Sequence, residues 1–412
     1  MTEQYRIVKM NIDYKALAEK YGTPLYMYDF DYIENRYTTL KDAFSGRKSL
    51  INYAVKANSN LSVIAHLAKL GAGADCVSIG EVQRALTAGV DKYKIIFSGV
   101  GKRDDEIRSA LEYDILLLNL ESEAEMKRVE MVAKELGKEA RISIRVNPNI
   151  DPQTHPYIST GLHENKFGVE IDMAKRMYIY ANKSEFLNPV GIHFHIGSQL
   201  TNIEPIREAC GIVADLVRSL KAIKIDIKFF DVGGGIGVVY DDEVTIPAEA
   251  YTQAIFDATK GLDVTLLCEP GRYMVANAGA FFTKVLYEKV NDGKRFVIVD
   301  GGMNDLIRPS LYNAYHKIEA LLKEGEKTPA DVVGPVCESG DFFGKNVPLP
   351  PLEHNDLIVV HSAGAYGFTM ASNYNTRAKA AEVALEGGKD RLIRKRETYE
   401  DQVRLELEYL EK

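Results

Sequence analysis

The sequence has few cysteines, and no two of them are spaced as a recognised motif. Cys76, Cys210, Cys268 and Cys337 are scattered over 412 residues without a C-x-x-C motif. This distribution argues against a zinc ribbon and against a disulfide scaffold. We expect Cys76, Cys210 and Cys268 to be small buried apolar residues, whereas the surroundings of Cys337 suggest a different role, described below.

Metal-binding patterns are also scarce. Of the eight histidines, only His193 and His195 have a spacing that suits metal ligands. On a strand, residues two apart lie on one face, but no acidic residue follows at a familiar offset. We therefore expect no metal site.

The chain has no excess of positive charge and no long apolar run. Its formal net charge is -8 and its pI is about 5.7, which argues against a nucleic-acid or acidic-membrane binder. The first residues, MTEQYRIVKMNIDYK, lack an apolar signal region, and no segment approaches the roughly 18 apolar residues of a transmembrane helix. We expect a soluble, cytoplasmic protein with no membrane or nucleic-acid partner.

Eight short apolar runs alternate with longer amphipathic segments, a pattern typical of parallel α/β architecture. The helical segments include SVIAHLAKL, GEVQRALTAG, DDEIRSALEY and EAEMKRVEMVAKELG. Eight nearly uniform units favour a closed (β/α)8 barrel over an open doubly wound sheet. The apolar runs are residues 51–56, 74–78, 94–99, 114–120, 141–147, 190–197, 228–235 and 264–271.

After residue 275 the pattern changes to strands with short connections and no intervening helices. This is typical of a separate antiparallel β-rich domain. We assign residues 33–275 to the barrel, and residues 1–32 with 276–412 to the second domain. TPLYMYDF (23–30) could join either region, and the charged segment from about 376 onward is compatible with helix or strand.

Several strand ends of the predicted barrel carry chemically active residues. In a (β/α)8 barrel the catalytic groups come from these carboxyl ends. Lys56 ends the first strand, His193 and His195 the sixth, the run Gly233-Gly234-Gly235 the seventh and Glu269-Pro-Gly-Arg272 the eighth. Asn52, Ala54 and Lys56 should share the face that points into the barrel.

Together these residues fit a pyridoxal phosphate site. Lys56 could bind the cofactor covalently, His195 could lie on one face of its ring, and Glu269 could pair with the ring nitrogen. Glycine amides can approach a phosphate closely. The predicted phosphate contacts are Ser198, Gly234, Gly235, Gly271 and Arg272.

Each residue also has a simpler explanation. The DVGGGIG run does not have Rossmann spacing and could be an ordinary turn. His195 could be a hydrogen-bonded core histidine. Glu269 and Arg272 could form a structural ion pair.

The ordered motifs resemble the fold-type III pyridoxal-phosphate decarboxylases over nearly the whole chain. Within that family, the chain is most similar to the members that act on meso-2,6-diaminopimelate. The motifs are YGTPLYMYD (21–29), YAVKAN (53–58), ISTGLHENKFGV (158–169), HFHIGSQ (193–199), DVGGGIG (231–237), EPGRYMV (269–275), RPSLYNAYH (308–316), VGPVCESGDFF (333–343) and AGAYGFTMASNYN (363–375).

The resemblance implies a homodimer whose active sites are shared between subunits. It implies that Lys56 is the cofactor lysine and that Cys337 is the acid that returns a proton after CO2 leaves. It also implies that Glu338 recognises the distal amino group of the substrate, with Cys337 and Glu338 coming from the neighbouring subunit. The remaining implied contacts with substrate or cofactor are Arg272, Arg308, Tyr312 and Tyr366.

The implied reaction yields L-lysine and CO2, the last step of lysine biosynthesis. A substrate with two carboxylates and a far ammonium needs cations and an anion, which Arg272, Arg308 and Glu338 provide. Three alternatives remain: a sister decarboxylase for carboxynorspermidine, ornithine or arginine, an isomerase similar to alanine racemase, and a non-catalytic cofactor-binding barrel. We expect HENKFG (163–168) to be a candidate for the loop that closes over the substrate.

Overall fold

The computed structural model describes residue 10, residues 12–151 and residues 166–410. Its strands are β1 (Leu25–Asp29), β2 (Ser49–Ala54), β3 (Gly73–Cys76), β4 (Ile95–Phe97), β5 (Leu117–Leu120), β6 (Ala140–Arg145), β7 (Leu187–His193), β8 (Phe229–Asp231), β9 (Thr265–Cys268), β10 (Gly279–Asn291), β11 (Lys294–Val299), β12 (Ile318–Ala320), β13 (Thr328–Val333), β14 (Phe342–Leu349), β15 (Leu357–Val360), β16 (Ala381–Glu386) and β17 (Lys389–Arg394). Its helices are α1 (Tyr14–Tyr21), α2 (Phe30–Ala43), α3 (Leu61–Lys69), α4 (Ile79–Thr87), α5 (Asp104–Tyr113), α6 (Glu123–Leu136), α7 (Ile171–Ala181), α8 (Glu204–Ala222), α9 (Ala248–Ala258), α10 (Arg272–Val275), α11 (Arg308–Tyr312) and α12 (Tyr399–Val403).

Strands β2 to β9 form a closed parallel barrel, which confirms the predicted architecture. Strand β2 pairs with β3 on one side and with β9 on the other, so no edge is left open. These strands are mostly apolar because the barrel interior and the surrounding helices bury both faces. Ile96, Leu117 and Leu267 belong to one buried cluster inside this unit.

The four helices predicted between the first strands are present as α3 to α6. Side-chain caps define where three of them begin: Asn60 before α3, Ser78 before α4 and Ser122 before α6 each accept a backbone N–H. Such caps satisfy amide groups that have no partner in the first helical turn. These capping residues therefore define where the three helices begin.

Seven of the eight predicted runs continue past the end of the observed strand, and two of these differences change the placement of site residues. Strand β2 stops at Ala54, and Lys56 lies in the following 3-10 turn, Val55–Ala57. Strand β7 stops at His193, so His195 lies beyond it. The alternation rule for strand faces therefore does not apply to Lys56 or His195, whose positions depend on the turns that follow.

The remaining described chain forms a nine-stranded mixed sheet with main order β14-β13-β11-β10-β1-β16-β17, and β15 pairs with β10 and β12. TPLYMYDF supplies β1 of this sheet, and the segment after residue 376 supplies β16, β17 and α12. Most pairs are antiparallel as predicted, but β1 pairs parallel with β16 and β11 with β13. Parallel pairing needs no hairpin between the partners, so these strands come from distant parts of the chain.

The chain divides into two compact units. One comprises residues 34–238 and 244–274, and the other comprises Val239–Glu243, Val275–Lys412 and the described part of Met1–Ile33. The second unit has its own core, in which Leu25, Phe282 and Val383 are buried together. The short segment 239–243 groups with this second unit although it lies within the residues assigned above to the barrel.

Other expectations can be compared with the described residues. Cys76, Cys210 and Cys268 are buried, as predicted, and Cys337 is exposed. In the described ranges, no helix has both the length and the apolar composition needed to cross a membrane. Residues 163–165 of the predicted closing loop lie outside the described part of the chain.

Asp305 provides a stability prediction for the second unit. Burial raises its pKa to about 7, and its Oδ2 atom accepts the N–H of Gly302 at 3.0 Å. Between about pH 4 and pH 7 the unfolded chain therefore binds fewer protons at this residue than the folded chain does, so the free energy of unfolding should fall as pH rises. Asp305→Asn should remove this dependence and stabilise the protein by roughly 1–3 kcal/mol at pH 8.

The measurement is urea unfolding of both proteins at pH 5 and pH 8. Asp292→Asn, a change in the exposed turn between β10 and β11, serves as the matched control and should behave like the unmodified protein. An Asp305→Asn variant that is no more stable than the unmodified protein at pH 8 would contradict this explanation.

Candidate active site

Lys56 lies directly after β2 and pairs with a fully buried carboxylate. Its Nζ is 2.8 Å from Oδ2 of Asp75, whose side chain is 0% exposed, while the Lys56 side chain is 39% exposed. The parallel pairing of β2 with β3 places Ala54 opposite Asp75 and so brings the turn and the carboxylate together. Burial raises the pKa of Asp75, with Glu269 adding to the effect and Lys56 opposing it. Lys56 is therefore a positioned amine rather than a solvated strand end.

Glu269 follows β9 and is buried next to His193. Its Oε2 atom lies 3.2 Å from Nε2 of His193. Burial alone would raise the pKa of Glu269, but His193 and Lys56 outweigh it and lower the pKa to about 2. An ionised buried carboxylate can hold a proton on a ring nitrogen of a bound cofactor.

His195 is held as a neutral ring. Loss of solvent lowers its pKa well below the usual value, and the nearby Arg145 and Lys56 lower it further. The N–H of Gly234 donates to Nδ1 of His195 at 3.3 Å, so any ring proton lies on Nε2. A neutral, flat imidazole suits stacking on an aromatic cofactor.

The glycine run after β8 packs too closely for any side chain. A Cβ atom on Gly234 would lie 2.1 Å from the carbonyl oxygen of Glu269, and one on Gly235 would lie 2.2 Å from that of Gly197. Gly235 also has φ +102°, a conformation that glycine adopts readily. The amide of Gly233 donates to Asp231 and that of Gly234 to His195, so the phosphate contacts of Gly234 and Gly235 stay predictions.

Ser198 and Arg272 are neighbours in the same unit. Nη2 of Arg272 lies 3.3 Å from Oγ of Ser198. Gly271 allows this segment to approach the end of β2, because a Cβ there would lie 3.0 Å from Cβ of Ala57. The structure thus gathers the predicted barrel residues at the carboxyl ends of the strands: Lys56, His195, Ser198, Gly234, Gly235, Glu269, Gly271 and Arg272.

The other predicted contacts belong to the second unit. Arg308 begins α11 and Tyr312 ends it. Nε of Arg308 donates to Nε2 of His316 at 3.3 Å, and its guanidinium lies 5.8 Å from the ring centre of Tyr312. Tyr366 has a left-handed backbone with φ 57°, a sparsely populated conformation that often marks a functional site.

Cys337 and Glu338 are exposed on the surface of that unit. The N–H of Cys337 donates to Oδ1 of Asn375 at 2.8 Å, and the hydroxyl of Tyr374 donates to Oε2 of Glu338 at 3.3 Å. An exposed thiol and carboxylate on neighbouring residues are accessible to a second molecule. Their roles across a dimer interface stay predictions.

Sequence reasoning assigned no role to two of the buried carboxylates. Asp75 contacts Lys56 and Asp231 contacts the glycine run. Each is an acidic residue within or at the end of an otherwise apolar, buried strand, which is the signal that could have identified it.

Comparisons with known proteins show the family to which this chain belongs. Residues 30–276 match the sequence model of a protein family, which is described as the pyridoxal binding domain of pyridoxal-dependent decarboxylases. A diaminopimelate decarboxylase from Campylobacter jejuni is 62% identical over 400 residues, which cover 97% of this chain and 100% of that protein. This chain belongs to the diaminopimelate decarboxylase family. A family member from Helicobacter pylori is 58% identical, covering 97% of this chain and 99% of that protein.

A solved structure extends the similarity to the fold. The crystal structure of the Helicobacter pylori diaminopimelate decarboxylase complexed with L-lysine has a TM-score of 0.94 and 58% identity, covering 97% of this chain and 100% of that one. The match spans both units of the chain.

This chain is a pyridoxal-phosphate-dependent decarboxylase, and its own residues fit the cofactor. Oε1 of Glu269 is buried and accepts no hydrogen bond from any donor in the described part of the structure. Such an atom can receive the protonated ring nitrogen of pyridoxal 5′-phosphate. Lys56 supplies an amine and His195 a neutral ring in the same unit.

Proposed function

We propose that this chain decarboxylates meso-2,6-diaminopimelate to L-lysine and CO2, the last step of lysine biosynthesis. The observation that carries this proposal is the similarity over the full length to relatives of this one activity. The exposed pair of Cys337 and Glu338 supports it, because a thiol acid beside a carboxylate suits an amino-acid substrate with a second amino group.

Pyridoxal phosphate supplies the electron sink for the bond that breaks when CO2 leaves. Lys56 would hold the cofactor through its amine. Glu269 would keep a proton on the ring nitrogen, and His195 would place its neutral ring beside the cofactor. The other residues that would contact the cofactor are Ser198, Gly234, Gly235, Gly271, Arg272 and Tyr366.

Substrate recognition requires charges of both signs. Arg272 and Arg308 bind carboxylates of the substrate, and Tyr312 and Tyr366 add hydroxyl contacts. Glu338 binds the distal ammonium, and Cys337 returns a proton to the α-carbon after CO2 departs. The interaction of Nε of Arg308 with His316 supports this role, since it fixes the guanidinium in one orientation.

We also propose that the active protein is a homodimer in which Cys337 and Glu338 act in the neighbouring subunit's site. The exposure of both side chains supports this arrangement, since residues that act within one chain's own site are usually enclosed. The proposed location is the cytoplasm. The net negative charge of the chain provides no electrostatic attraction to nucleic acid or to an acidic membrane surface.

The test is CO2 release by the protein, with and without added pyridoxal phosphate. The substrates are meso-diaminopimelate, L-lysine, ornithine, arginine and carboxynorspermidine. We expect cofactor-dependent release from meso-diaminopimelate and at most weak release from the others. Preferred release from ornithine, arginine or carboxynorspermidine would instead show a sister decarboxylase.

Glu338→Gln should impair recognition of the distal ammonium. Loss of one charge-assisted hydrogen bond should lower kcat/KM for meso-diaminopimelate by roughly 10- to 100-fold, mainly through KM. Glu326→Gln, a change at another exposed glutamate of the same unit, is the matched control and should leave both constants unchanged. An unchanged KM in Glu338→Gln would assign recognition of the ammonium to another residue.

A further inference from the structure

Three buried polar side chains meet at the ends of neighbouring barrel strands. His193 ends β7, Asp231 ends β8, and Glu269 follows β9. The strand register places His193 opposite Asp231, and Asp231 opposite Leu267. One nitrogen or oxygen atom from each of the three side chains lies within 4.8 Å of the others. The barrel itself therefore fixes this group.

The two carboxylates of this group each have one oxygen without a donor. Oδ1 of Asp231 accepts the N–H of Gly233 at 2.9 Å, and Oε2 of Glu269 faces His193. Oδ2 of Asp231 and Oε1 of Glu269 accept no hydrogen bond from any described residue. Asp231 is 2% exposed and Glu269 6% exposed, so solvent does not compensate. Two buried carboxylates this close cannot both be ionised without a large electrostatic cost.

We propose that Asp231 is a neutral carboxylic acid that donates a hydrogen bond to Glu269 and thereby orients Glu269 toward the ring nitrogen of the cofactor. This inference rests on the proposed function in one respect, the pairing of Glu269 with that nitrogen. Asp231 is then a positioning residue: it does not touch the reacting atoms but acts through Glu269.

The surroundings decide which carboxylate keeps the proton. Burial raises the pKa of Asp231, and the charge of Glu269 raises it further. Glu269 instead faces His193 and Lys56, which favour its ionised form. Other titratable groups that interact with Asp231 are Asp75 from β3, Cys268 from β9 and Tyr251 from α9. The carboxylate of Asp75 also favours a neutral Asp231.

The same residue links two parts of the site. Through Oδ1 it holds the amide of Gly233 at the start of the glycine run, and through its proton it would hold Glu269. The carbonyl oxygen of Gly233 in turn accepts the N–H of Glu269 at 2.7 Å. A change at Asp231 should therefore disturb both the glycine run and Glu269, and a neutral side chain with the same shape should disturb neither.

Asp231→Asn is that conservative change, since its amide can donate to Glu269 while its oxygen accepts the N–H of Gly233. We expect its dissociation constant for pyridoxal phosphate, measured by fluorescence on the apoprotein, to stay within about 3-fold of the unmodified value. Asp231→Ala removes both bonds and should weaken cofactor binding by roughly 10- to 100-fold. An Asn variant as impaired as the Ala variant would overturn the proposal.

Infrared spectroscopy tests the proton directly and does not depend on the Ala variant folding. The difference spectrum between the unmodified apoprotein and Asp231→Asn at neutral pH should contain the carbonyl band of a protonated carboxylic acid. Only the ionised carboxylate bands would appear if Asp231 is charged, and that result would overturn the proposal. Neither readout involves the substrate, so failure of diaminopimelate turnover would count against the proposed function alone.

Discussion

Lys56→Ala is expected to abolish decarboxylation and the visible absorbance of the covalently bound cofactor. Lys56 lies in the turn after β2 and would supply the amine that holds the cofactor. We expect kcat to fall by at least about 10⁴-fold, because loss of a covalent catalytic group removes the whole pathway. The measurements are CO2 release from meso-diaminopimelate and the absorption spectrum of the purified protein.

The partner of Lys56 must be controlled in this experiment. Without the amine, the fully buried Asp75 loses its ion pair, which could destabilise the barrel. Lys56→Ala combined with Asp75→Asn removes that unpaired charge and should be folded yet equally inactive. Lys94→Ala, a change beside β4 at a lysine that binds the carbonyl oxygen of Gly71, should retain activity. Turnover by either Lys56 variant would contradict the assigned role.

Cys337→Ala is expected to keep the cofactor bound but to slow turnover strongly. The thiol is the proposed acid for the α-carbon, and general acid catalysis contributes roughly 10²- to 10⁴-fold to a rate. The fall should therefore appear in kcat, with the absorption spectrum of the bound cofactor unchanged. Ser339→Ala, two residues along the same exposed loop, is the control. An unchanged kcat in Cys337→Ala would show that the proton comes from another group.

Mixing the two inactive proteins tests whether sites are shared. If Cys337 acts in the neighbouring subunit's site, a heterodimer of Lys56→Ala and Cys337→Ala has one intact site and one doubly altered site. In an equal mixture that exchanges subunits freely, half of the dimers are heterodimers, so about a quarter of the unmodified activity should return. Proven heterodimers without any activity would place Cys337 in the site of its own chain.

The barrel could be predicted because each strand is a separate apolar run followed by a helix-like segment. The candidate site followed from the same pattern: a lysine, a glycine run and a glutamate after buried parallel strands must meet at one end of a barrel. The position of Lys56 in a 3-10 turn could not be predicted, since the run Ile51–Val55 continues the apolar pattern past the last paired residue.

The sequence pattern also could not predict which distant strands pair with each other. Strand β1 pairs parallel with β16, more than 350 residues later in the chain, and no local turn signal specifies such a partner. The surroundings of Asp231 likewise depend on His193, which ends β7, and on Glu269, which follows β9. A reactive residue type at a strand end indicates that chemistry is possible there. The protonation state of that side chain can be predicted only when its neighbours in space are known.

The most direct measurement of the central claim is the product of a complete reaction. The protein, loaded with pyridoxal phosphate, is incubated with meso-diaminopimelate until the substrate is exhausted, and CO2 and the stereoisomers of lysine are quantified. We predict one CO2 and one L-lysine for each substrate molecule, because decarboxylation at the D-configured end preserves the L-configured centre. Conversion of the substrate into another diaminopimelate stereoisomer without CO2, or formation of racemic lysine, would contradict the account.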